Sequence, residues 1–100
     1  MTNMLHPGET VAKTGTFLYD GAVECDIRIV HSPIRYGSGD YEDPPDVRND
    51  LECDVFYVHF GSPTQRGIFN AGSSSFSSLP EAVAAVDTMP GVGGTIRWDA

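Results

Sequence analysis

Basic residues are scarce in this chain. Six Lys and Arg stand against fourteen Asp and Glu over 100 residues, a formal charge of −8 at neutral pH. The six are scattered, as Lys13, Arg28, Arg35, Arg48, Arg66 and Arg97. Without a basic footprint, nucleic acid and anionic membrane surfaces are excluded as partners. No apolar run approaches the roughly 20 residues a membrane-spanning helix needs, and no apolar signal-peptide core follows Met1. A cytoplasmic location is the expectation, with Cys25 and Cys53 as reduced thiols. Local catalytic signatures are lacking as well. There is no Gly-x-Ser-x-Gly elbow. The Ser-rich run from Asn70 to Ser78 contains no Lys to complete a phosphate loop, and Gly91-Val92-Gly93-Gly94 follows the predicted helix where a dinucleotide turn would precede it. No cofactor is expected.

What is present suits a folded protein. The hydrophobic fraction is 40%, and the ten aromatic residues argue against disorder. One hundred residues make a single domain with one modest core, and residues 1–10, polar and closed by Pro7-Gly8, are expected to be flexible.

Residues 14–19 read as a strand, rich in Thr and aromatic side chains. Asp20-Gly21 is a strong hairpin signal. Residues 22–31 then alternate, with Val23, Cys25, Ile27 and Ile29 on one face and Glu24, Asp26 and Arg28 on the other. A two-residue turn pairs Leu18 with Val23 and Thr16 with Cys25. Ser32-Pro33 loosens or ends that strand. Residues 52–60 form a third strand whose two faces are both fairly apolar, which predicts a central or covered position. Residues 67–71 return as a fourth. Ser78-Leu79-Pro80-Glu81 is a capping box, opening a helix with Leu79, Ala82, Val83, Val86 and Met89 on one stripe before Pro90-Gly91 stops it. Residues 95–98 are a final strand. The predicted class is α+β, an antiparallel or mixed sheet of about five strands with one covering helix in the order β-β-β-β-α-β.

Two segments resemble one another: Glu24-Cys25-Asp26 through His31 and Glu52-Cys53-Asp54 through His59. Their flanking hairpins differ in length and turn type, which favours chance over duplication. Two Cys and two His suggest zinc, but within each copy they lie six residues apart, about 20 Å along a strand, too far for one tetrahedral ion. Antiparallel pairing in a suitable register would set Cys25 against His59 and His31 against Cys53. A Cys–His pair of that kind is the only enzymatic constellation the sequence offers, and the expectation is a module without catalytic activity.

The charge is concentrated between Arg35 and Asp54, where Asp40, Glu42, Asp43, Asp46, Asp50, Glu52 and Asp54 supply half of all carboxylates against Arg35 and Arg48. Gly37, Gly39, Pro44 and Pro45 forbid a regular helix or central strand over residues 35–51, so the charge sits on a loop. Crowded carboxylates repel one another unless a cation relieves them. The spacing does not match an EF-hand calcium loop, and no metal is assigned. Tyr36 and Tyr41 flank the acidic core, and tyrosine buries area at interfaces while keeping a polar tip. The expected contact surface is therefore Tyr36, Asp40, Tyr41, Glu42, Asp43 and Asp46, and the expected partner a basic protein surface. An inhibitor or immunity-type protein that blocks a basic toxin or nuclease is the alternative, beside the Cys–His enzyme. Exposed sheet edges leave both a monomer and a homodimer open.

Overall fold

The computed structural model describes residues 5–37, 39–73 and 75–99, the side chain of Asn70 excepted. Five strands, β1 (Thr10–Tyr19), β2 (Val23–Arg35), β3 (Leu51–Gly61), β4 (Phe69–Gly72) and β5 (Arg97–Trp98), form one antiparallel sheet in the order β4-β3-β2-β1-β5. Two helical segments interrupt them, a single turn α1 (Pro45–Arg48) and a longer helix α2 (Leu79–Asp87). The α+β makeup and the five strands match the expectation. The order differs by α1, which stands inside the Pro-rich loop read as free of helix. Four residues suffice there because Pro45 fits the first helical position, where no amide partner is required.

The Asp20-Gly21 hairpin forms, with a register different from the expected one. Ala22 N–H donates to the Tyr19 carbonyl at 3.0 Å across Asp20 and Gly21, both at positive φ (53° and 70°). Pairing resumes one residue late, with Tyr19 opposite Val23 and Phe17 opposite Cys25. That extra residue inverts the faces of β1. Phe17 rather than Thr16 and Leu18 enters the core, which buries a far larger apolar surface.

Alternation then gives the sheet two different faces. On one, Phe17, Cys25, Ile27, Ile29 and Val58 pack with Ala82 and Val86 of α2 into an apolar core. Truncating Ile27 or Ile29 to Ala there costs about 2–5 kcal/mol. On the other face Arg28 stands opposite His59, Val30 opposite Tyr57 and Ser32 opposite Val55. β3 lies between β2 and β4, and its faces are covered separately: Val58 packs with Ala82 and Val86 of α2, while Tyr57 and His59 on the other face lie beside His6, Glu9 and Tyr36.

The helix begins as predicted and is capped differently in detail. Ser78 Oγ accepts the Glu81 N–H at 3.2 Å, while the Glu81 carboxylate takes the Ser77 hydroxyl at 2.7 Å. α2 ends at Asp87 with Thr88 as its cap, so Met89 lies beyond it. β2 runs through Ser32-Pro33 to Arg35 with a register shift between Ser32 and Ile34. Pro33 has no N–H for the ladder, and Ser32 Oγ compensates by accepting Ile34 N–H at 3.2 Å. No helix among the described residues is long and apolar enough to cross a membrane.

Candidate functional site

The β2–β3 connection carries the acidic cluster and is closed tightly at its base. Arg35 pairs with Leu51 across the sheet, Gly37 N–H donates to the Asp50 carboxylate at 2.8 Å, and Gly39 N–H donates to the Arg48 carbonyl at 3.1 Å. Arg35 Nη2 reaches over to the Asp46 carbonyl at 2.6 Å. Gly37 sits so near the Arg48 and Asn49 backbone that a Cβ there collides with it. Further out, Asp40 organises a turn: its carbonyl accepts Asp43 N–H at 3.1 Å and its carboxylate accepts Glu42 N–H at 3.0 Å. Asx turns of this kind give a loop tip a defined shape without regular structure.

The tip presents Asp40, Tyr41, Glu42 and Asp46 to solvent, with Asp43 half-buried. Tyr41 is 89% exposed, the most of any large hydrophobic residue described. Ion pairs among the described residues join Arg66 to Glu24 and Asp26 and His31 to Asp54, and none involves Glu42 or Asp46. Tyr36, grouped with these residues in sequence, lies apart from them. Its ring packs between His6 and Tyr57 with centroids 5.3 and 5.9 Å away, and its N–H donates to the Tyr57 hydroxyl at 2.9 Å.

Beneath Tyr36 is a second grouping that sequence reasoning missed. Glu9 is only 8% exposed, yet it carries a carboxylate. That carboxylate accepts His6 N–H at 2.8 Å and the Tyr36 hydroxyl at 3.3 Å, which folds the segment before β1 over the sheet. Burial, followed by the Glu9 charge, pushes the Tyr36 phenol upward, since both disfavour a phenolate. Arg28, buried among β-strands, lays its guanidinium over the Phe69 ring at 4.1 Å and donates from Nε to His59 Nδ1 at 3.1 Å. Burial pushes the Arg28 guanidinium below its usual value, and Glu9 opposes this. His59 is held below its usual value by burial first and by Arg28 second. Glu9, Tyr36, Tyr57, His59, His6 and Ser73 line a cavity of about 140 Å³. A shallower groove of about 380 Å³ shares Tyr36, Tyr57 and Ser73 with it and leads on to Val47 in the loop.

The Cys–His arrangement is not assembled. Cys25 lies in the core on the helix side, whereas His59 projects from the opposite face. His31 stands opposite Phe56 and bonds through Nε2 to Asp54 at 3.0 Å, not to Cys53, which is exposed. Both thiols are free. Among the described residues no group of three or more His, Cys, Asp or Glu is placed to hold a metal ion. A wider concavity of about 730 Å³, between Phe17, Phe60, Met89 and Val92, is lined by Asp20 but by no His or Cys among the described residues.

No family model matches the chain, and no curated protein or solved structure matches it either.

Proposed function

We propose that the protein is a binding module without catalytic activity whose loop tip, residues 39–48, docks on a basic protein surface. The observation that carries this reading is Tyr41, 89% exposed amid carboxylates on a loop closed at its base by backbone hydrogen bonds. An aromatic ring left in water on an ordered tip supplies apolar area at little further entropic cost when it is covered. The surrounding carboxylates steer a cationic partner and select against an anionic one. Repulsion among them is relieved by the same contact.

Calorimetric titration with a lysine-rich peptide tests this. Truncating a well-packed interface tyrosine costs about 1–2 kcal/mol or more, so Tyr41→Ala is expected to weaken binding by about tenfold or more. Thermal stability is expected to stay within about 0.5 kcal/mol, because the side chain is almost fully exposed. Asp43→Asn with Asp46→Asn is expected to lower affinity mainly at low salt. Equal affinity for wild type and Tyr41→Ala would contradict the reading.

A further inference from the structure

We propose that the cavity between Glu9, Tyr57 and His59 is a binding site for a primary carboxamide, separate from the loop tip and independent of its role. The argument rests on which proton each lining group holds. An arginine Nε–H is always a donor, so the 3.1 Å contact from Arg28 makes His59 Nδ1 an acceptor. The imidazole is therefore neutral, with its one proton on Nε2. His59 is 5% exposed and lines the cavity, so that N–H is a donor offered to whatever enters.

Tyr57 reads the same way. Its hydroxyl oxygen accepts the Tyr36 N–H at 2.9 Å, leaving its own proton to donate. Glu9 supplies the opposite function. Its two oxygens take one hydrogen bond each, from His6 N–H and the Tyr36 hydroxyl, and each retains a lone pair. Around one small space stand two neutral donors and one anionic acceptor, with the His6 ring and Ser73 completing the polar lining.

A carboxamide matches this set. Its carbonyl oxygen accepts from His59 Nε2–H and the Tyr57 hydroxyl, while its NH₂ donates to Glu9. A carboxylate would meet Glu9 with like charge and no proton to give. An ammonium satisfies Glu9 and leaves both donors without acceptors, and an alcohol brings too few groups to satisfy all three. Each mismatch leaves a buried polar group unpaired, which is the costly outcome. A volume of about 140 Å³ lies below the size of most ligand pockets, which points to a fragment of a molecule. The Tyr36 and Tyr57 rings give the flat amide an apolar wall, and the adjoining groove provides an exit for the chain that bears it.

NMR titration of the isotope-labelled protein with propionamide tests this, with propionate, propylammonium and 1-propanol as parallel probes. Saturable shifts are expected at the amides of Glu9, Tyr57, His59 and Ser73 and at His59 Nε2–H with propionamide, and at least tenfold weaker binding of the other three. Glu9→Gln, which replaces an acceptor oxygen by a donor, is expected to weaken propionamide about tenfold. Should that variant fold poorly, Tyr57→Phe keeps the ring, loses the donor and is expected to weaken it similarly. Two further probes locate the source. Tighter binding of a capped glutamine-containing peptide than of free glutamine assigns the group to a partner side chain, and the reverse assigns it to a small metabolite. The site is overturned if propionate, 1-propanol or propylammonium binds as well as propionamide, or if propionamide gives no saturable shift.

Discussion

His59 makes the protein sensitive to mild acid. Its folded-state value lies below the ordinary 6.5, because burial and Arg28 disfavour the imidazolium, with Glu9 opposing and His6 adding a minor term. Between its folded and unfolded values the unfolded chain binds more protons, so stability is full above about pH 6.5 and falls as the pH is lowered from there. Asp26 acts later. Its carboxyl is held below 3.8, chiefly by hydrogen bonds from Arg66, so its contribution is present above about pH 4 and is lost as the pH falls through its folded value. Thermal melts between pH 8 and 3 are expected to show two descending steps. His59→Gln, whose amide oxygen can still accept from Arg28, is expected to remove the upper step and keep the lower. A melt profile identical to wild type would show that His59 is not the group that titrates.

Elements in this fold are aligned by a few close approaches. At Gly15 a Cβ would stand 2.5 Å from the Arg97 carbonyl and 3.2 Å from the Trp98 Cα, so β5 lies against β1 only because no side chain intervenes. Gly15→Ala is expected to cost about 1–3 kcal/mol and to unpair β5, seen as faster amide exchange at residues 97–99. Ser78→Ala is expected to cost about 1 kcal/mol through the lost N-cap of α2. Strand positions and the helix start were legible because alternation and capping are local. The β1 register was not, since Asp20-Gly21 is compatible both with a two-residue turn and with one extra residue, and only the fit of Phe17 into the core decides between them. The cavity was hidden for a related reason. Glu9 and Arg28 look like surface charges, and residues 5–9 look mobile, until the segment folds over a face whose partner strand lies decades of residues away. The one local hint was that Val55, Tyr57 and His59 are too apolar for a bare face. Tyr36 was grouped with Tyr41 by proximity in sequence, but the shift at Pro33 and the tight base at Gly37 return its ring to the sheet.

For the whole molecule, the charge of −8 is unevenly spread. Arg66 offsets Glu24 and Asp26 at one end of the sheet, while the loop at the other end keeps its excess of carboxylates. Self-repulsion of that excess weakens the fold slightly, so Glu42→Gln with Asp46→Asn is expected to raise stability by about 0.5 kcal/mol at low salt. The same pair is expected to weaken a cationic partner, the opposition between stability and binding that the proposed contact surface predicts. The most direct test is NMR mapping of a lysine-rich peptide on the labelled protein at low and high salt. The expected result is shifts confined to residues 39–48, centred on Tyr41 and suppressed by salt. Shifts spread over Glu24, Asp26 and the remaining carboxylates in proportion to their charge would contradict a dedicated contact surface on the loop.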